Sequence, residues 1–139
     1  MRRSVLDASV ALAWFIDPSV APLATHLQRL LVQGDRAIVP YLWRSEVANG
    51  FLMAQRRGIL TSVRSMEAFA ELDVLLAQSI ENLSQELSIQ RVVAAAQQFE
   101  LTAYNATYLE TARELRLPLA TLDRRLSAAA EKAGISLIS

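Results

Sequence analysis

Ser4-Val5-Leu6-Asp7-Ala8-Ser9-Val10 is a short apolar run that ends on an aspartate, and Leu119-Ala120-Thr121-Leu122-Asp123-Arg124-Arg125-Leu126 repeats the pattern late in the chain. Each reads as a brief buried strand followed at once by a helix, with the acid at the junction. Two further strand-like runs are Ala37–Val39, before Pro40, and Ile135–Ile138, after Gly134; the late run itself spans Leu119–Leu122, after Pro118. Short apolar strands separated by helices predict an α/β domain whose short, mostly parallel sheet is covered on both faces. In a parallel sheet Asp7 and Asp123 share one rim, and ligand sites form beyond the carboxyl ends of the strands.

The intervening segments have helical spacing. Pro22 to Val32 carries Leu23, Leu27, Leu30 and Leu31 on one stripe and stops at Gly34. Tyr41 to Arg57 carries Trp43, Val47, Phe51 and Ala54, and Arg56-Arg57-Gly58 supplies last-turn cations followed by glycine. Thr61 or Ser62 caps a further helix through Val63, Met66, Phe69, Ala70 and Leu76; Ile89 to Phe99 and Tyr104 to Leu117 continue the helical run. Thr121 opens the last helix and Gly134 closes it. No linker, repeat or low-complexity block divides the chain, so residues 1–139 read as a single domain.

Composition narrows the chemistry. The chain has 14 basic and 14 acidic residues, no cysteine and one histidine, His26. Disulfides, thiolate metal sites and cysteine nucleophiles are excluded, and a lone histidine argues against a histidine-rich metal site or a triad. Lys132, the one lysine, is followed by Ala133-Gly134, so there is no phosphate-binding Gly-Lys-Ser/Thr loop. Carboxylates are therefore the main candidates for polar chemistry. A net charge of zero gives no long-range pull toward nucleic acid or membrane. The longest stretch free of Asp, Glu, Lys and Arg, Pro18 to Gln28, holds two prolines and is too short to span a bilayer. Asp7 interrupts the N-terminal apolar run too early for a signal peptide, so a cytoplasmic protein is expected.

Each acid has a plain structural reading beside a functional one. Asp7 and Asp123 can cap the helices that follow them. Glu46 falls mid-helix among apolar and small neighbours, where a carboxylate needs either an arginine partner or a metal ion. Asn105, at the start of a helix in Tyr104-Asn105-Ala106-Thr107-Tyr108, reads in isolation as an N-cap.

Taken together, Val5-Leu6-Asp7-Ala8-Ser9-Val10, Ser45-Glu46-Val47-Ala48-Asn49, the block Leu101 to Leu109 and Leu119-Ala120-Thr121-Leu122-Asp123-Arg124-Arg125-Leu126 resemble the four signature blocks of PIN-domain ribonucleases, in order and over essentially the whole chain. Within that superfamily the chain resembles VapC-type toxins of bacterial toxin–antitoxin pairs. The resemblance implies a three-layer α/β/α fold and a Mg²⁺- or Mn²⁺-dependent endoribonuclease. The family's acids map to Asp7, Glu46 and Asp123, with Asn105 standing where a fourth aspartate is usual. Catalytic and metal-binding roles are thus expected at Asp7, Glu46, Asn105 and Asp123, with Ser9 and Thr121 as outer-shell hydroxyls. An asparagine keeps the shape and one carbonyl oxygen of aspartate but loses its charge and cannot act as a base. Weakened metal binding and reduced cleavage are expected, and a domain that binds RNA or antitoxin without cutting is the alternative.

Arg124 and Arg125, beside Asp123, are candidate RNA contacts. Trp14, Phe15, Tyr41, Trp43, Tyr104 and Tyr108 mostly fall in apolar stripes and read as core, with Tyr104 and Tyr108 kept as possible substrate contacts. The resemblance further implies a homodimer and a VapB-like antitoxin whose tail lies along a groove; Phe51, Met53, Met66 and Phe69, on the helices around Leu42–Met53 and Val63–Leu76, read either as that groove or as core. An aspartyl-phosphate phosphatase or a receiver domain is disfavoured, because no second aspartate stands two residues after Asp7 and no lysine lies near a strand end.

Overall fold

The computed structural model describes residues 1–16 and 21–139. The elements run β1 (Arg3–Leu6), α1 (Ala8–Ile16), α2 (Pro22–Val32), β2 (Arg36–Val39), α3 (Leu42–Arg56), α4 (Ser62–Gln78), β3 (Ile80–Asn82), α5 (Ile89–Phe99), α6 (Ala103–Leu115), β4 (Leu119–Ala120) and α7 (Arg124–Lys132). The strands form one parallel sheet in the order β3-β2-β1-β4. From β1 the chain steps outward to β2 and β3, then returns to the other side of β1 as β4. The order therefore reverses between β1 and β4, the switch point where an open parallel sheet leaves a crevice beyond its strand ends.

Successive residues of a strand face opposite sides of its sheet. Ser4, Val5 and Leu6 are all buried, as are Ala37, Ile38 and Val39, so helices cover both faces. α1 packs on α2 and α3, while α6 contacts β1 and β4 and is flanked by α5 and α7. Trp43, Phe51, Phe15, Leu27, Leu31, Leu109 and Leu126 belong to the one hydrophobic core formed by the described residues. None of the helices described is long and apolar enough to cross a membrane.

The helix ends follow the local chemistry that the sequence shows. Thr61 and Ser88 cap α4 and α5 through their hydroxyls, which accept from Arg64 and Arg91 N–H at 3.0 and 3.2 Å. Gly34, which follows the α2 cap Gln33, takes φ 108°, a value that other residues adopt at a cost. α6 ends earlier than its apolar pattern, at Leu115 rather than Leu117, because Arg116 adopts the left-handed conformation with φ 54° and no glycine marks the stop.

Three strand expectations change. The late strand covers Leu119–Ala120 alone, since Leu122 N–H leaves the ladder and donates to Ser9 Oγ at 3.0 Å. The run Ile135–Ile138 contributes one isolated bridge, Leu137 beside Leu119. β3 carries no turn signal before it, because α4 runs to Gln78 almost without a break; its Glu81 meets Arg3 at 3.2 Å and Arg36 at 3.4 Å.

Candidate active site

Four side chains from four different places in the chain meet at the carboxyl rim of the sheet. Asp7 leaves the end of β1, Glu46 stands on the second turn of α3, Asn105 on the first turn of α6, and Asp123 at the start of α7. All four line one cleft of about 540 Å³, together with Ser9, Leu12 and Tyr104.

Asp7 is buried, 5% exposed, and two hydroxyls converge on its Oδ2: Thr121 Oγ1 at 2.6 Å and Ser9 Oγ at 2.7 Å. Both hydroxyls are themselves oriented. Thr121 Oγ1 accepts from Asp123 N–H at 3.0 Å and Ser9 Oγ accepts from Leu122 N–H at 3.0 Å, so each hydroxyl proton is left for the carboxylate. The start of α1 and the turn after β4 are thereby stitched together through Asp7 by the hydroxyls of Ser9 and Thr121. Burial pushes the Asp7 carboxyl above its ordinary range, against the two hydroxyls, and the neighbouring Asp123 charge pushes it further.

Among the described residues Glu46 meets no arginine. Among the described residues its partner is Tyr108, whose hydroxyl donates to Oε1 at 2.6 Å. The expected alternative of an internal salt bridge is thus replaced by a neutral donor. Partial burial raises the Glu46 carboxyl, the Tyr108 bond opposes this, and the charge on Asp7 adds to the rise.

Asp123 does cap its helix, with Oδ1 accepting from Leu126 N–H at 2.9 Å. Asn105 does not cap α6. That role belongs to Thr102, which accepts from Asn105 N–H at 3.1 Å, and the Asn105 side chain is released to donate through Nδ2 to Asp123 Oδ2 at 3.4 Å. Its backbone needs no help from its own side chain, which leaves the amide free for the cleft.

The sequence leaves Tyr108 as a core aromatic or a possible substrate contact, and it is fully buried. The signal that points to its second role is spacing: three residues after Asn105, it lies on the same face of α6. Arg124 and Arg125 are exposed on the first turn of α7, where the helix dipole disfavours cations. Tyr104 is 63% exposed at the cleft and Tyr41 is 51% exposed away from it, so these two leave the core assignment. Phe51 joins the core and stacks edge-on against Phe69 at 5.1 Å, whereas Met66 and Phe69 remain exposed.

Among the described residues no three His, Asp or Glu side chains are grouped closely enough to form a metal cluster by themselves. The donor set nevertheless fits a hard divalent cation, because every candidate ligand is an oxygen and Mg²⁺ takes one or two carboxylates while keeping several waters. None of Asp7, Glu46 and Asp123 is paired with a cation among the described residues.

No curated protein matches the chain. Among solved structures it is similar to PAE2754 from Pyrobaculum aerophilum, at 25% identity and TM-score 0.70 over 92% of this chain and 84% of that one. It is also similar to FitAcB from Neisseria gonorrhoeae, at 17% identity and TM-score 0.61 over 97% and 96% of the two chains. A toxin–antitoxin complex from Klebsiella pneumoniae gives 22% identity and TM-score 0.55 over 86% of each chain. A family model, PIN domain, matches residues 4–132, and with that span covered the chain belongs to the PIN domain family.

Proposed function

We propose that this protein is a divalent-metal-dependent endoribonuclease of the VapC type, the toxin of a toxin–antitoxin pair, with activity lowered by Asn105. The observation that carries the reading is the convergence of Asp7, Glu46, Asp123 and Asn105 on one cleft whose lining, among the described residues, includes no arginine, lysine or histidine. PIN domains are generally nucleases that use divalent metals.

Asp7 and Asp123 would hold the metal directly, and Glu46 would hold it or orient a water. A divalent cation there supplies a water of lowered pKa and neutralises charge on the scissile phosphate. The chain's own residues do the rest. Ser9 and Thr121 hold Asp7 at a fixed angle, the Leu126 N–H fixes Asp123, and the apolar wall of Leu12 and Leu42 limits water around the acids. Exposed Tyr104 offers a face on which a base can stack, an interaction of about 1–3 kcal/mol in single-strand binders. Arg124 and Arg125 would contact phosphate.

The Klebsiella pneumoniae neighbour is a toxin–antitoxin complex, which supports a VapB-like antitoxin as partner here. Val63, Met66 and Phe69, exposed at every third residue of α4, are the proposed seat for it, and a homodimer is part of the same reading.

The test is incubation of labelled single-stranded and structured RNA with the purified chain, with and without Mg²⁺ or Mn²⁺. Metal-dependent cutting that chelator abolishes supports the nuclease. RNA that is retarded in a gel but stays whole at every metal concentration favours the non-cutting binder, for which the Asn105 amide on Asp123 is the structural argument.

A further inference from the structure

We propose that Tyr108 is a positioning residue of this site: its buried hydroxyl holds Oε1 of Glu46 and so decides that Oε2 is the oxygen offered to a ligand. The inference rests on the nuclease reading for its purpose, although the contact itself stands without it.

Tyr108 and Glu46 lie 62 residues apart, on α6 and α3, and their hydrogen bond is 2.6 Å long. A bond of that length to a carboxylate is charge-assisted and about twice as strong as a neutral one. Tyr108 is 0% exposed, so no substrate reaches its ring, and a buried phenol requires a partner. Among the described residues Glu46 is that partner, and no other hydrogen bond falls on Glu46. Glu46 needs the restraint. Its side chain has three rotatable bonds and no arginine to anchor it, so without a donor it would sample several rotamers in the cleft.

An ordinary phenol, with a pKa of about 10, keeps its proton at neutral pH, so Tyr108 is the donor and Glu46 the acceptor of this bond. α6 also carries Asn105 one turn earlier and packs on β1 and β4, the strands that lead into Asp7 and Asp123. A single helix thus bears on two of the four site side chains, Glu46 by direct contact and Asn105 on its own first turn.

The experiment compares the full chain with Tyr108→Phe, Glu46→Ala and the double variant. Mn²⁺ affinity is read by electron paramagnetic resonance, cleavage of labelled RNA by kcat and KM, and thermal melting verifies that each variant is folded. Tyr108→Phe is expected to weaken Mn²⁺ binding by about tenfold, the low end for loss of an outer-shell partner, and to lower kcat with KM unchanged. In the Glu46→Ala background the same change is expected to do nothing further. Glu46→Asp, which draws the carboxylate away from the hydroxyl without disturbing the core, is a second variant and should lose affinity to a similar extent. Unchanged Mn²⁺ affinity in Tyr108→Phe, or an equal loss in the Glu46→Ala background, overturns the proposal in favour of packing alone. A wild-type chain that binds Mn²⁺ but cuts no RNA sinks the nuclease reading while leaving the Tyr108 comparison decisive; one that binds no Mn²⁺ sinks both.

Discussion

Two buried acids in this molecule are treated in opposite ways. Glu110, 4% exposed on α6, meets Arg91 Nε at 2.8 Å and lies 2.9 Å from Arg113 Nη1, the latter as an ion pair outside hydrogen-bond geometry. Asp7, 5% exposed, meets among the described residues only hydroxyls and backbone, and Asp123 and Glu46 stand near enough to raise its carboxyl or be raised by it. A buried carboxylate that serves the fold is neutralised by two partly exposed arginines, of which Arg91 ties α5 to α6. Asp7 meets no cation among the described residues, which costs the metal-free fold; under the proposed function a divalent metal would supply that charge.

The sharpest way to break that contrast is to neutralise each acid in turn. Asp7→Asn is expected to lower RNA cleavage by at least about 100-fold, the loss of several kcal/mol of metal-assisted stabilisation, while raising the melting temperature of the metal-free protein. Glu110→Gln should do the reverse, leaving cleavage near wild type and costing about 1–3 kcal/mol in denaturant unfolding, since its arginines can turn to solvent. Melting temperatures that move in the same direction for both variants would erase the distinction.

Thr121→Val removes one of the two hydroxyls on Asp7 and one acceptor for Asp123 N–H. A 10–100-fold weaker Mn²⁺ affinity is expected, of the order seen on losing outer-shell partners, and calorimetric titration measures it. Asn105→Asp works in the other direction. It restores a fourth charge and removes the amide from Asp123, so Mg²⁺ affinity and cleavage should rise by about tenfold, roughly the 1.4 kcal/mol of one added ligand charge, while the metal-free melting temperature falls. If restoring the aspartate changes neither metal affinity nor cleavage, position 105 lies outside the site.

The raised Asp7 carboxyl sets a pH trend. Its native pKa exceeds the unfolded value of about 3.9, so the native state holds the proton more tightly and metal-free stability declines as pH rises from about 4 through the native pKa. Glu46 contributes with the same sign. Urea unfolding across that range should show the decline, and Asp7→Asn should flatten it. The smallest effect belongs to Arg124→Ala and Arg125→Ala, each expected to weaken RNA binding modestly and to reduce the salt dependence of log K by about 0.7 for a single-strand phosphate contact.

Much of this molecule was legible before any coordinates. α2 and α5 have the bounds their stripes imply, and the acids after β1 and β4 share a rim because parallel strands leave no other choice. What escaped was decided over long separations. β3 is three residues whose only strong strand signal is Ile80, and it exists because β2 offers an edge and Glu81 meets Arg3 and Arg36 there. Locally, Asn105 taken in isolation reads as a cap, but Thr102 takes that place, and the difference turns on backbone geometry that residue type does not reveal.

The amino-acid pattern alone determined which class of groups can do chemistry here: with no cysteine and one histidine, carboxylates are the main candidates, and under the proposed function Asp7, Glu46 and Asp123 carry it with an amide at the fourth position. Only the tertiary structure decided how those groups are held. Hydrogen bonds between residues as far apart as Asp7 and Thr121 or Glu46 and Tyr108 depend on which elements pack together, and local periodicity carries no information about that pairing.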